Sequence, residues 1–171
     1  MENFTNETID ITQLPKYELV AFSPLHSNFW KVILLNTFVS NLLFAIGIAV
    51  SYFVLDKVDE YLKVIIIVFV TYIVLSVLLL RISYNKRGYA FREHDVLYRH
   101  GIIATKTMII PFNRVQHIDL NEGLFSRYFG LASIGIYTAG GIASDIKIPG
   151  IPKDQAENIK QLLMTKIQKQ L

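Results

Sequence analysis

Apolar residues in this chain are massed in two runs before they begin to alternate. Val32–Leu55 holds about 24 residues without a charge and Val64–Leu80 about 17, where about 20 cross a hydrocarbon core as a helix. The shorter run lengthens if Lys63 and Arg81 extend their head groups into the interface. Its polar residues are Thr71, Tyr72 and Ser76, and those of the first run are Asn36, Thr37, Ser40, Asn41, Ser51 and Tyr52. Neither run has the polar stripe that a soluble helix keeps at a period near 3.6. Inside lipid a backbone must satisfy its own hydrogen bonds, so the pattern predicts two transmembrane helices. The connector Asp56–Lys63 allows only a tight turn, which makes the spans antiparallel within a hairpin at 31–81.

After Leu80 the period shortens. Tyr89–Arg92, Asp95–Arg99, Ile102–Ile110, Arg114–Leu120, Ala132–Thr138 and Asp145–Ile148 are short runs rich in Val, Ile, Tyr and Thr, parted by turn residues. In Arg114–Leu120 simple alternation sends Val115, His117 and Asp119 to one face, which makes His117 a partly buried structural histidine. Asn121–Gly130 reads as a turn around a short apolar segment. From Pro152 to about residue 170 an amphipathic helix is expected, with Ala156, Ile159, Leu162, Leu163, Lys166 and Ile167 on one stripe. The fold class is thus a membrane protein: a two-helix hairpin, then a small β-rich α+β domain over 82–171 closed by a C-terminal helix.

Residues 1–30 form a leader. Its first fifteen residues are polar and unpatterned, and read as flexible. The triplets Asn3-Phe4-Thr5 and Asn6-Glu7-Thr8 match a glycosylation sequon that a cytoplasmic tail would never present to the enzyme. Phe29 and Trp30 stand where an interfacial aromatic belt belongs. The start lacks the basic residues of a signal peptide, so none is expected.

Charge then orients the hairpin. The leader carries Glu2, Glu7, Asp10 and Glu18 against Lys16, whereas the stretch from Arg81 onward is strongly basic. Lys16, Lys31, Arg81, Lys86, Arg87, Arg92 and Arg99 flank the outer ends of the spans, and the connector's Lys57 and Lys63 are outweighed by three acids. The positive-inside rule places both termini in the cytoplasm of a multi-pass protein. With no cysteine, disulfides, thiolate metal sites and cysteine nucleophiles are excluded.

The segment Ile110-Pro111-Phe112-Asn113-Arg114-Val115-Gln116-His117-Ile118 resembles the I-P-x-x-R-I-Q-x-V core of the bacterial pleckstrin-homology-like membrane proteins. Gly123–Leu131, Thr138-Ala139-Gly140-Gly141 and Ile148-Pro149-Gly150-Ile151 follow in that family's order. The resemblance covers about residues 84–168, and the hairpin fits the small, YdbS-like members. It implies a bent antiparallel barrel plugged by the C-terminal helix, in the bacterial cytoplasmic membrane. It also implies a non-enzymatic protein, often in company with a larger relative carrying several such domains, and a role in envelope maintenance or stress tolerance.

Arg114, Gln116 and Arg127 match the family motifs. Two guanidiniums present forked donors suited to a phosphate or carboxylate, so Arg114 and Arg127 are candidates for an anion recess. The structural alternative has them tying carbonyls at the turns near Pro111 and Gly130. Lys86, Arg87 and Arg92, with Arg81, lie against the inner leaflet, where each basic residue adds about 1 kcal/mol of attraction to anionic lipid. They set topology, and binding of an anionic headgroup is the added alternative. Asp119 and Glu122 read as turn caps rather than a catalytic pair. His26, His94, His100 and His117 have no metal-ligand spacing, and no phosphate loop, nucleophile elbow or dinucleotide fingerprint occurs. No catalytic residue, metal, cofactor or nucleic-acid partner is expected. The spans hold no ionisable side chain, which argues against a transporter subunit or membrane enzyme. The expected function is an interaction module at the bilayer, docking a larger protein with a similar domain or forming a homo-oligomer, with the basic hinge near Arg87 and the sheet surface around Arg114 as the contact region. Asn36, Thr37, Ser40 and Asn41 would glue helices together.

Overall fold

The computed structural model describes residues 17–54, 58–141 and 145–168. The sequon triplets, the expected flexible stretch of the leader up to residue 15, the start of the connector at Asp56 and the last residues of the expected C-terminal helix lie outside them. Two long helices lead the chain, α1 (Asn28–Val54) and α2 (Val58–Lys86). At 1.5 Å per residue they are about 40 and 44 Å long, more than a hydrocarbon core requires. Both are long and apolar enough to cross a membrane, with 6% and 0% of the most apolar window buried within the molecule. Val58–Lys63 is not turn but the opening of α2, because its residues propagate the helix once it has begun. Asn36, Thr37, Asn41, Ser51, Thr71 and Ser76 bond back to carbonyls of their own helices. The Asn36 amide donates to the Val32 carbonyl at 3.0 Å and the Asn41 amide to that of Thr37 at 2.7 Å. The Thr37 and Thr71 hydroxyls do the same four residues back. Phe44 and Phe69 stack across the seam, centroids 5.8 Å apart.

Among the described residues seven strands follow the expected antiparallel plan, with one addition. β1 (Ser23–Pro24), β2 (Gly88–Phe91), β3 (Asp95–His100) and β4 (Lys106–Pro111) form one sheet in that order. β5 (Val115–Asn121), β6 (Leu131–Thr138) and β7 (Ile146–Pro152) form the other. A single 3-10 turn, Phe112–Arg114, joins the sheets, and Phe112 is fully buried at that corner. β1 comes from the leader and pairs with β2, Ser23 opposite Tyr89 and Pro24 opposite Gly88. The entire membrane hairpin is therefore an insertion between two neighbouring, hydrogen-bonded strands. Both of its ends are clamped to the same sheet.

Two bulges decide what the strands bury. Pairing of β5 slips between Val115 and His117, leaving Gln116 as the extra residue. Val115 and Ile118, three apart, then both face the core, and His117 is exposed instead of partly buried. Its ring rests on Tyr137, centroids 5.6 Å apart. On β7 the slip falls at Pro149-Gly150, opposite Ser133, so that Ile148 and Ile151 are both fully buried. Proline suits this place because a bulge asks for no ladder donor. Gly150 has φ +69°, and a Cβ there would stand 2.5 Å from Cγ of Phe29. Phe29 is thus a core residue, 8% exposed, seated in the notch that Gly150 leaves. It is not part of an interfacial belt. The His26 N–H donates to the Gly150 carbonyl at 3.0 Å, and Leu25 and Val32 join the same core.

Helix α3 (Leu124–Tyr128) forms within the expected turn and packs against α1. Helix α4 (Lys153–Gln168) plugs the barrel with Ala156 and Leu163, both fully buried, and with the half-buried Ile159 and Ile167. Leu162 is exposed: it stands one residue, about 100°, round the helix from Leu163 and misses the stripe.

Candidate functional site

The base of the hairpin is where sheet, helices and cations meet. Trp30 of α1 and Tyr84 of α2 have centroids 5.8 Å apart, and the Arg81 guanidinium lies over both, at 4.9 and 5.6 Å. The Tyr84 hydroxyl donates toward the backbone carbonyls of His26 and Leu25, at 3.3 and 3.5 Å. Arg99 lies over Phe22 at 4.3 Å and Lys31 over Phe129 at 5.9 Å. Arg81 closes the aromatic junction in preference to reaching freely for the interface. Cation–π contacts of this kind contribute about 0.5–1 kcal/mol when exposed and more when desolvated.

Arg87 is the single residue between α2 and β2. Gly88 stands opposite Arg99, so the next step of the register sets Arg87 opposite His100, and His100 is paired with Lys106 on β4. Directly opposed residues share a face of a sheet. Arg87, His100 and Lys106 therefore form a row across three chain segments at one end of the barrel. Tyr98 lies on the same face one step inward, its ring stacked on His100 with centroids 5.3 Å apart. The Arg87 Nε is buried without a hydrogen-bond partner. Burial first, then the positive charges of Arg87 and Lys106, hold the His100 pKa below its ordinary 6.5. Burial raises the Tyr98 phenol, and Arg87 opposes that rise. Lys86 donates from Nζ to the carbonyl of Ile102 at 2.6 Å, tying the β3–β4 turn to the end of α2.

The remaining candidates are dispersed. Arg92 is occupied by Asp95, both ends of its guanidinium meeting the carboxylate, with Nε to Oδ1 at 2.6 Å. Asp95 also holds Arg92 protonated more firmly than usual. Arg114 is exposed at the end of the 3-10 turn, two residues before the bulged Gln116; among the described residues its side chain makes no hydrogen bond, and its backbone carbonyl accepts from the Ala139 N–H. Arg127 is exposed on α3. The seven residues of β5, at about 3.3 Å each, lie between them, so Arg114 and Arg127 do not line one recess. Among the described residues neither guanidinium ties a turn carbonyl. Gln116 and His117 border a shallow groove against Lys160, Met164 and Ile167 of α4.

Asp119 and Glu122 do not cap turns. Asp119 reaches across to β6, accepting from the Gly135 N–H and the Tyr137 hydroxyl, both at 3.0 Å. The hydrogen bond to that carboxylate raises the Tyr137 pKa above 10. Glu122 pairs with Lys153 at 2.9 Å, which raises the lysine pKa. His100 and Lys106 escaped sequence reasoning because their partnership with Arg87 rests on strand register, which no local pattern encodes.

Compared with known proteins, residues 32–167 match the family described as Bacterial PH domain. The chain is similar to the transmembrane protein YdbS of Bacillus subtilis (strain 168), 31% identical over 72 residues, 42% of this chain and 43% of YdbS. It is also similar to the transmembrane protein YdbT of the same organism, 27% identical over 86 residues, 50% of this chain and 17% of YdbT. The matched stretches thus span less than half of either curated relative. No solved structure matches the chain.

Proposed function

This chain belongs to the bacterial PH domain family, and on that premise we propose that it is a non-enzymatic, membrane-anchored interaction module. Its hairpin crosses the bacterial cytoplasmic membrane twice with both termini inside. Its PH-like barrel lies at the inner leaflet, and the hairpin assembles with a larger membrane protein carrying the same kind of domain.

The observation that carries this reading is the hairpin's unfilled seam. Two helices alone bury almost nothing of their apolar windows. They leave an apolar groove of about 680 Å³ bordered by Ser40, Asn41, Phe44, Phe69 and Tyr72. A second groove of about 470 Å³ lies on the other side, again touching Asn41. Helix association in lipid is favoured by packing of small residues and by hydrogen bonds between polar side chains, because lipid tails are as apolar as leucine. The Asn41 amide donates to the Thr37 carbonyl at 2.7 Å, and among the described residues its side-chain oxygen accepts no hydrogen bond, which leaves it open to a donor on another helix. A short relative and a much longer one, each sharing a segment with this chain, occur in one organism. That supports a longer chain of the family as the partner.

The cysteine-free sequence permits a direct test. In native membranes, Ser40→Cys is expected to yield one discrete cross-linked product with a longer chain, and adding Asn41→Leu is expected to reduce it at least severalfold. Cross-linking no greater than from Phe53→Cys, an exposed position near the far end of α1, would refute the reading.

A further inference from the structure

We propose that helix α3 and the β3–β4 turn form a two-pronged apolar seat, set into the layer of the bilayer where headgroups meet acyl chains. The seat rests on the membrane-anchored reading above and adds to it the side chains that hold the barrel against the leaflet.

Both prongs break the ordinary rule for their kind of element. The outward side of a surface helix is polar, yet α3 is apolar on two sides. Phe125 and Phe129, four residues apart, pack on the barrel core. Leu124 and Tyr128, also four apart and about 100° round the helix from that pair, are 81% and 84% exposed. A tight turn is ordinarily built from Gly, Pro, Asn, Asp and Ser. Gly101 fits that rule: its φ is +136°, and an added Cβ would lie 2.0 Å from the Ala104 carbonyl oxygen. The tip that follows does not, because it is Ile102-Ile103-Ala104, with Ile103 97% exposed. Among the described residues of the barrel, no other large apolar side chain is more than half exposed. Apolar surface gathered on two tips in this way marks a contact surface.

The place of the prongs decides what they touch. Helix α3 packs against α1, where the Lys31 ammonium lies over Phe129. The β3–β4 turn is held to the end of α2 by the Lys86 bond to Ile102. One apolar tip therefore stands beside each helix of the hairpin at its barrel end. The occupant that reaches both tips at once is the bilayer that the two helices enter. Tyr128 combines an apolar ring with a polar hydroxyl, as residues of the interfacial layer do. Lys31, Lys86 and Arg127 stand around the tips, on stems long enough to keep their charges among the headgroups. The contact itself is apolar and asks for no anionic lipid.

The test uses the full cysteine-free chain with a fluorescent label on one introduced cysteine, reconstituted in phosphatidylcholine vesicles whose lipids carry a quencher just below the headgroup. Ile103→Cys and Leu124→Cys are expected to be quenched severalfold more than Met164→Cys. Met164 is about half exposed and borders Gln116 and His117 at the start of β5, whereas α3 follows the end of that strand. Replacing one-quarter of the phosphatidylcholine by phosphatidylglycerol is expected to leave that ratio unchanged. Phe38→Cys, an exposed position within α1, reports the spans themselves. Quenching at Phe38→Cys, with the Ile103→Cys and Leu124→Cys labels quenched no more than Met164→Cys, overturns the seat and leaves the spans standing. Absence of quenching at Phe38→Cys overturns the membrane-anchored reading and the seat with it. Quenching of the two tips only when phosphatidylglycerol is present overturns the apolar contact in favour of attraction by charge.

Discussion

Gly150→Ala tests whether the barrel grips the hairpin. The added methyl meets two obstacles. At φ +69° an L-residue costs about 1–2 kcal/mol relative to glycine. Its Cβ would also lie 2.5, 2.7 and 2.9 Å from Cγ, Cβ and Cδ1 of Phe29. Contacts this short force the ring out, and exposing a buried Phe forfeits about 1.5–3 kcal/mol. The expected loss is about 2.5–5 kcal/mol. For a domain of 60–100 residues, where 1 kcal/mol moves the melting temperature by about 4–8 °C, that is a fall of more than about 10 °C. Trp30, the chain's one tryptophan, adjoins Phe29 and stacks on Tyr84, so its fluorescence reports the opening directly. Gly130→Ala is the matched control: φ is +64° there, but nothing lies within 4 Å of an added Cβ. It is expected to show only the backbone cost. Adding Phe29→Ala to Gly150→Ala is expected to cost much less than the sum of the two. Equal losses for Gly150→Ala and Gly130→Ala, with Trp30 emission unchanged, would refute the notch.

Two further perturbations probe the barrel. Tyr137 is raised because it donates to the Asp119 carboxylate, so its contribution to stability is complete below pH about 10 and is lost as pH rises through the folded pKa. Asp119→Asn is expected to bring the Tyr137 titration down toward the ordinary value, read by ultraviolet absorbance; an unmoved titration would sink the cross-strand tie. His100 has the opposite sense for a base: the folded state binds its proton less readily than the unfolded chain. Its contribution is therefore complete above pH about 6.5 and declines as pH falls through that value toward the folded pKa. In phosphatidylcholine nanodiscs the melting temperature is expected to fall between about pH 7.5 and pH 5, and His100→Asn to flatten that fall. A slope as steep in the variant would remove His100 from the account.

The elements that were legible in the sequence are those written by local pattern. The charge-free runs are α1 and α2 because lipid admits no other backbone solution. Six of the strands fall close to their apolar runs, and α4 begins next to Pro152. The fold class agrees with the family resemblance read from Ile110–Ile118. What eluded the sequence depends on contacts between distant segments. β1 is two residues long, and no periodicity announces Ser23–Pro24. Phe29 beside Trp30 reads as a membrane belt until Gly150, over a hundred residues later, supplies its seat. His117 appeared buried because alternation assumes an unbroken ladder, and the bulge at Gln116 breaks it. Of the candidate site, Lys86 and Arg87 were visible as a basic junction, but His100 and Lys106 join them only through strand register.

In the proposed arrangement the spans cross the membrane, the barrel lies flush with the inner leaflet and both ends of the clamped hairpin stay on one side. Single cysteines in the cysteine-free chain test it in intact cells with a membrane-impermeant maleimide. Glu60→Cys, in the first turn of α2 at the end of the hairpin away from the barrel, is expected to label from outside. Gln161→Cys, on the exposed face of α4, is expected to label only after the membrane is permeabilised. Labelling of Gln161→Cys in intact cells, with Glu60→Cys protected, would place the barrel on the wrong side and contradict the account.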